Sequence, residues 1–244
     1  MIIESNANPK VKYLRSLYSK KGRREAKRFI VEGVNSVKDI PDNVKVEYIF
    51  ANPDNEGKAL SIAERFSAEV VVLKDELFAR VGDTVTPSGL IAVVEYPEYS
   101  IKDFSKVLIM DGISDAGNAG TIIRTAAACG FDAVFAFDSV DLYSPKCVRS
   151  TMSGLFRIPC FELSYEEFSF TGDVYLLDMH GEDIFSIAPR APYAVIVGSE
   201  AKGASAFFKE RANKIVSIPM TNGVESLNAA VSASLAMYLF QYRR

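Results

Sequence analysis

The spacing of apolar residues in the first part of the chain predicts two helices and three short strands. Val11, Leu14 and Leu17 recur at the period of a helix, so residues 8–20 are expected to be helical. A second helix is expected between two apolar runs, over residues 56–66. Continuous apolar runs predict buried strands at residues 45–51, 69–73 and 90–96. Residues 1–96 are therefore expected to form a small α/β domain.

After a polar stretch, the remaining chain alternates apolar runs with helical stretches. Residues 97–105 open with Pro97 and break the periodicity, which predicts a linker. Strands are predicted at residues 106–111, 132–137, 174–179, 193–198 and 214–219, and helices at 120–129 and 225–242. This alternation predicts a second α/β domain over residues 106–244, with a mostly parallel sheet covered on both faces.

Composition narrows the class of protein. With 48% hydrophobic residues among 244, the chain can bury two cores, and its apolar runs are shorter than the roughly 18–20 residues that span a bilayer. No signal peptide is recognised, so we expect a cytoplasmic protein without a membrane partner. Cys129, Cys147 and Cys160 have no CxxC spacing and are interpreted as free thiols. His180, the single histidine, is interpreted as a strand-end residue, and no metal site is expected.

Charge is distributed unevenly along the chain. Residues 1–28 contain nine basic and two acidic residues, whereas the whole chain has a net charge of −3. Four of these cations are clustered at Lys20, Lys21, Arg23 and Arg24, and Tyr13 and Tyr18 lie among the basic residues. Cations interleaved with aromatic rings suit RNA, because they neutralise phosphates and stack on bases. The alternative interpretation is an ordinary solvated helix face.

Three loops after predicted strands share a composition rich in Gly, Ser, Asn and acidic residues. They are residues 112–124, 199–205 and 220–228. In open α/β sheets, ligands bind outside the carboxyl ends of the strands, so these loops are expected to form a site. The chain contains neither a GxGxxG dinucleotide fingerprint nor a GxxxxGK[ST] phosphate loop. An α/β enzyme that uses an ordinary nucleotide is therefore disfavoured.

Four segments resemble a known family. NAGTIIRTAAACGFDAVF (118–135), AVIVGSEAKGAS (194–205) and IPMTNGVESLNAAVSASLAMYLF (218–240) look like the three ordered motifs of the SpoU (TrmH-like) branch of the SPOUT methyltransferases. SPKCVRSTMSGLFRIP (144–159) resembles a further family segment. Residues 8–37 resemble the substrate-binding domain that is often fused to the catalytic domain. The resemblance covers nearly the whole chain.

The resemblance implies transfer of a methyl group from S-adenosylmethionine to a ribose 2′-hydroxyl of RNA. Arg124 would engage the hydroxyl, either as a base or as a cation that stabilises the forming alkoxide. The other implied catalytic residues are Asn118, Glu200, Ser226 and Asn228. The implied cofactor residues are Gly198, Ile218, Met220 and Leu227. Ribosomal RNA is the first expectation and transfer RNA the second, and a non-catalytic RNA-binding protein on the same fold is the remaining alternative.

The family also implies a C-terminal trefoil knot and a homodimer. The predicted last helix is apolar or small on most of its surface, which suggests that it packs against a second copy, and Ala233→Glu is expected to separate the copies. Four positions depart from the family pattern: Ala116, Ala201, Thr151 and Ser153. None of them is one of the implied catalytic groups. They bear instead on loop geometry and substrate identity.

Overall fold

The computed structural model describes residues 2–82 and 88–242. It divides into two compact units. The first unit is Met1–Glu98 together with Tyr143–Arg149, and the second is Tyr99–Leu142 together with Ser150–Arg244. In the described part of the chain, no helix is long and apolar enough to cross a membrane.

The first unit is built on a five-stranded mixed sheet. Its strands are β1 (Ile2–Ile3), β2 (Arg28–Glu32), β3 (Val46–Ala51), β4 (Glu69–Leu73) and β5 (Leu90–Glu95). Its helices are α1 (Pro9–Ser16), α2 (Lys20–Ala26), α3 (Val34–Lys38), α4 (Glu56–Ala63) and α5 (Asp75–Val81). The strand order is β1-β4-β3-β5-β2, and β5 runs antiparallel to both of its neighbours. Strand β2 was not predicted, although it is almost entirely buried.

The helix predicted over residues 8–20 is confirmed as α1, but it ends at Ser16, and a second helix that was not predicted starts at Lys20. Asn8 caps α1 through Lys10 N, and Pro9 occupies its first turn, where a missing N–H costs nothing. After Ser16 the backbone hydrogen bonds tighten to three-residue spacing, from Leu17 N to Leu14 O and from Tyr18 N to Arg15 O. The Ser19 side chain then accepts from Gly22 N and starts α2. Helix α4 likewise stops three residues earlier than predicted.

The second unit is built on a six-stranded sheet whose strand pairs are all parallel. Its strands are β6 (Lys106–Asp111), β7 (Ala133–Phe137), β8 (Cys160–Leu163), β9 (Asp173–Asp183), β10 (Tyr193–Gly198) and β11 (Lys214–Ser217). Its helices are α6 (Ala116–Cys129), α8 (Ala206–Arg211) and α9 (Ala229–Tyr242). Helix α7 (Pro145–Ser150) follows β7 in sequence but belongs to the first unit up to Arg149. The order is β11-β9-β10-β6-β7-β8. The predicted α/β class and the mostly parallel sheet are confirmed, while the trefoil knot stays a prediction.

Two helix starts in this unit differ from the sequence prediction. Helix α6 begins at Ala116 rather than at residue 120, because the Asp115 carboxylate caps it by accepting from Asn118 N. Helix α9 begins at Ala229 rather than at residue 225. His180 lies inside the long strand β9 and not at a strand end. All three cysteines are free and buried, and the described residues contain no group of three metal-ligating side chains.

Candidate active site

Three polar side chains from three different loops meet at the carboxyl edge of the parallel sheet. Asn118 Nδ2 donates to Glu200 Oε1 at 2.7 Å. Asn228 Nδ2 donates to the same Glu200 oxygen at 2.9 Å and to Asn118 Oδ1 at 3.0 Å. One carboxylate oxygen therefore joins the residues that the sequence singled out in each loop.

Helix termini hold these side chains in place. Asn118 lies in the first turn of α6, where the Asp115 cap fixes its backbone. Asn228 caps α9, since its Oδ1 accepts from Ala230 N at 2.9 Å and from Val231 N at 3.2 Å. Its amide group is then left to face Glu200. Asn228 therefore both caps α9 and contacts Glu200.

Arg124 lies on α6, eight residues after the helix start at Ala116 instead of the four expected from a start at residue 120, and its side chain is exposed. Within residues 2–82 and 88–242, its guanidinium makes no hydrogen bond or ion pair. A turn packs directly against its backbone, because a Cβ added to Gly154 would lie 3.0 Å from Arg124 Cα. Arg124 is therefore held on a rigid helix with its charged group open to solvent.

The turn beside Arg124 contains two of the departures from the family pattern. Thr151 is fully buried, and Ser153 is buried with a left-handed φ of 66°. Met152 between them also has a left-handed φ of 45° and is exposed. Glycine takes such conformations without strain, which accounts for the glycine that the family usually has at the position of Ser153.

A cleft of about 300 Å³ adjoins the polar cluster. The four predicted cofactor residues, Gly198, Ile218, Met220 and Leu227, all line it. Glu200 and Ser226 line it too, and among the described residues no hydrogen bond joins Ser226 to the three-residue cluster. Further carboxylates at its wall are Asp178 and Glu225.

The loop of residues 199–205 forms one wall of this cleft. The narrow base of the loop, which we call its neck, is closed by backbone pairing between Ser199 and Gly203. Ser199 N donates to Gly203 O at 3.1 Å, and Gly203 N donates to Ser199 O at 2.8 Å. Gly198 has no room for a side chain, since a Cβ there would lie 2.3 Å from Ala204 N. The glycine selected from the sequence is therefore required by the closed neck.

Sequence reasoning missed one buried carboxylate, Asp111, at the end of β6. Its Oδ1 accepts from the Tyr165 hydroxyl at 2.8 Å and its Oδ2 from Ser205 N at 2.6 Å. Burial and the hydrogen bond to Asp111 raise the pKa of Tyr165, so its hydroxyl stays protonated and donates. An acidic residue that directly follows the apolar run KVLIM was the available signal.

The predicted RNA-binding residues are not equally accessible. Lys20, Lys21 and Arg24 are exposed, but Arg23 is only 2% exposed and donates from Nη1 to Leu17 O at 2.7 Å. Tyr13 and Tyr18 pack against the core of the first unit, so their rings are partly committed there. The exposed basic surface is therefore smaller than the sequence suggested.

Comparisons with known proteins agree with this architecture. The model of the SpoU rRNA methylase family matches residues 105–238, and the MRM3-like substrate-binding domain matches residues 8–92. The chain is 32% identical to 23S rRNA (guanosine(2553)-2′-O)-methyltransferase RlmP of Bacillus subtilis, over 97% of each chain. It is 31% identical to 23S rRNA (uridine(2479)-2′-O)-methyltransferase of Streptomyces viridochromogenes, over 70% of this chain and 66% of that protein.

One of the similar solved structures contains the cofactor AdoMet. The SpoU methyltransferase AviRb from Streptomyces viridochromogenes, in complex with the cofactor AdoMet, superposes with a TM-score of 0.82 at 25% identity, covering 95% of this chain and 96% of that one. Fold and site together define an α/β methyltransferase. The chain belongs to the SpoU rRNA methylase family, and the family predicted from its motifs is confirmed.

Proposed function

We propose that this protein transfers a methyl group from S-adenosylmethionine to a ribose 2′-hydroxyl of ribosomal RNA. The observation that carries the proposal is the Asn118–Glu200–Asn228 cluster, which stands beside the cleft in the same unit as the exposed Arg124. Relatives named as 23S rRNA 2′-O-methyltransferases support ribosomal RNA over transfer RNA as the substrate.

The cleft suits S-adenosylmethionine by the chemistry of its lining. Ile218, Met220 and Leu227 offer apolar contacts to an adenine ring, while Asp178 and Glu225 offer negative charge to a cationic ligand. Its volume, about 300 Å³, lies at the lower end of small-molecule sites. When bound, S-adenosylmethionine supplies a methyl group on a positively charged sulfur. The residues that would hold it are Gly198, Ile218, Met220 and Leu227.

The protein's own contribution is to position the ribose and to stabilise charge. The Arg124 guanidinium donates hydrogen bonds to the 2′ oxygen and stabilises the negative charge that develops as the hydroxyl releases its proton to solvent water. We prefer this role to that of a base, because guanidinium groups are almost always protonated. The Asn118–Glu200–Asn228 cluster keeps α6, the 199–205 loop and the start of α9 in register around the reacting groups.

The first unit is proposed as the RNA-binding domain, residues 1–96, joined by residues 97–105 to a catalytic domain over residues 106–244. Its match to a substrate-binding domain and its exposed Lys20, Lys21 and Arg24 support this division. The cytoplasm is proposed as the compartment, because three buried free thiols suit a reducing environment.

The test is methyl transfer from labelled S-adenosylmethionine to purified ribosomal RNA and, separately, to transfer RNA. We expect label only in ribosomal RNA, as 2′-O-methyl nucleotides. The same nucleotides should be unmethylated in ribosomal RNA from cells that lack the gene. Label in transfer RNA alone would select the alternative substrate. Tight RNA binding without transfer to either RNA would select the non-catalytic alternative.

The protein is also proposed to be a homodimer that pairs through α9. Val231, Leu235, Tyr238 and Tyr242 recur at helical spacing, and each is more than 40% exposed. Ala233, in contrast, is fully buried within the unit, so Ala233→Glu would damage the fold and cannot test the interface. A continuous apolar stripe on a helix calls for a partner, and a second copy supplies a matching stripe.

Leu235→Glu is the sharper test of the dimer. We expect light scattering to report a dimer for the unchanged protein and a monomer for Leu235→Glu, because the glutamate would place charge in the paired stripe. Leu60→Glu is the matched control, since Leu60 on α4 is 51% exposed and lies in the first unit. A monomer at micromolar concentration for the unchanged protein would refute this interface.

A further inference from the structure

Asp111 is a buried carboxylate without a cation beside it. It lies at the carboxyl end of the strand β6 and is 2% exposed. No ion pair involves it within the described residues. Burying a carboxylate is costly unless hydrogen bonds compensate, so the two donors that it accepts from are expected to be important. They are the Tyr165 hydroxyl and Ser205 N.

The backbone donor belongs to the loop that forms the cleft wall. Ser205 is the last residue of the 199–205 loop and precedes α8. At the neck, the Ser199–Gly203 pairing closes the loop on itself, and Asp111 then fastens its exit to β6. Glu200, Lys202 and Gly203 of this loop line the cleft. The anchor therefore lies outside the cleft and fixes residues that lie in it.

The second donor, the Tyr165 hydroxyl, binds the other oxygen of the Asp111 carboxylate. The Tyr165 ring stacks on Phe137 with centroids 5.5 Å apart and packs against Phe208 with centroids 5.9 Å apart. Phe208 lies on α8, directly after the loop. An aromatic cluster thus fixes the direction of the tyrosine hydroxyl and, through it, the carboxylate.

We infer that Asp111 is a positioning residue that holds the 199–205 loop in its cofactor-binding shape. The inference rests on the proposed function, because it takes the cleft as the S-adenosylmethionine site. Asp111 contacts neither cofactor nor RNA in this role. It acts through Ser205, and the consequence reaches Glu200 and the polar cluster.

Two substitutions at this position separate hydrogen bonding from charge. Asp111→Ala removes the acceptor for Ser205 N, and we expect calorimetry to show S-adenosylmethionine affinity at least tenfold weaker, with RNA affinity unchanged. Asp111→Asn keeps one oxygen for Ser205 N, and its amide can donate to the Tyr165 oxygen, so we expect affinity within about threefold of the original. Asparagine as poor as alanine would overturn the hydrogen-bond role.

Asp132→Ala is the matched control. Asp132 Oδ2 accepts from Ser105 N and Lys106 N, each at 2.8 Å, so it anchors the chain at the other end of the same strand. We expect Asp132→Ala to lower the melting temperature like Asp111→Ala but to leave cofactor affinity unchanged. Equal loss of affinity in both variants would mean general destabilisation and would overturn the inference.

Ser205→Pro tests the same hydrogen bond from its other side. The φ of Ser205 is −64°, which proline adopts, and proline lacks the N–H that Asp111 accepts. We expect the same loss of affinity as for Asp111→Ala, and this variant decides the matter if Asp111→Ala fails to fold. Affinity equal to that of the original protein would overturn the inference.

A measurement without cofactor keeps the inference separate from the proposed function. Amide hydrogen exchange of residues 199–205 should accelerate in Asp111→Ala and stay unchanged in Asp132→Ala. Unchanged exchange in both variants would overturn the positioning role. If the unchanged protein failed to bind S-adenosylmethionine, the proposed function would fall while the exchange experiment still reported on the anchor.

Discussion

The two units of the molecule use their arginines differently. In the first unit, Arg149 Nη1 lies 2.6 Å from Glu32, whose side chain is 3% exposed, and Arg65 lies 2.6 Å from Asp42. In the second unit, the glutamate at the site is held by two amides, and the guanidinium of Arg124 has no partner among the described residues. The Arg149–Glu32 pair thus stabilises the first unit, whereas the charge of Arg124 in the second is available for the proposed chemistry.

The largest expected effect on this difference between the units comes from substituting Arg124. We expect Arg124→Ala to lower the methyl-transfer rate on the order of 10²–10³-fold, because a charge-stabilising donor is removed. Since Arg124 makes no ion pair in the described part of the chain, the melting temperature and cofactor affinity should stay unchanged. Arg124→Lys should restore little activity, because an ammonium cannot reproduce the planar fork. Near-original turnover in either variant would remove Arg124 from the mechanism.

Arg149 provides the opposite case, because its substitution is expected to lower the free energy of unfolding rather than to act on the methyl-transfer step. Arg149→Met removes the cation that lies 2.6 Å from the buried Glu32, which we expect to lower the free energy of unfolding by about 1–3 kcal/mol. Denaturant titration measures this loss. The double variant Glu32→Met with Arg149→Met is the control and should recover part of the stability, because the buried carboxylate is removed together with the cation that contacts it. A double variant as unstable as the single one would show that the charge was not the cause.

The smallest expected effect concerns the exposed basic surface of the first unit. Changing Lys20, Lys21 and Arg24 to alanine should reduce the slope of log affinity for RNA against log salt by about 0.7–0.9 for each RNA phosphate that these cations neutralise. Lys45, Lys58 and Lys74, which are exposed lysines of the same unit outside residues 1–28, form the control set. An equal change of slope in both sets would mean that residues 20–24 carry no special role.

Apolar periodicity predicted the second unit better than the first. Strands β6 and β10 have the predicted bounds, because strands buried on both faces read as unbroken apolar runs. Local side-chain capping was the harder signal. Ser19 starts the helix α2, which was not predicted, and Asp115 starts α6 four residues earlier than predicted. Such caps depend on single hydrogen bonds, which a 3.6-residue period does not detect.

For the site, sequence motifs identified residues but could not identify contacts. They selected Asn118, Glu200 and Asn228, which the fold brings within hydrogen-bonding distance. They also grouped Arg23 with its basic neighbours, although its guanidinium is turned inward to Leu17 O. Asp111 was overlooked because its significance lies in a bond to Ser205, 94 residues further along the chain.

The shared oxygen of Glu200 has a consequence for the order in which the protein matures. Asn118 lies 82 residues before Glu200, and Asn228 lies 28 residues after it, so the cluster closes only through long-range contacts. Contacts of that kind form slowly, because distant segments must first be brought together. A nascent chain that has not yet reached Asn228 lacks one of the three members of the cluster. Under the proposed function, catalytic competence is therefore a late event in synthesis, and its appearance would report that the second unit has finished folding.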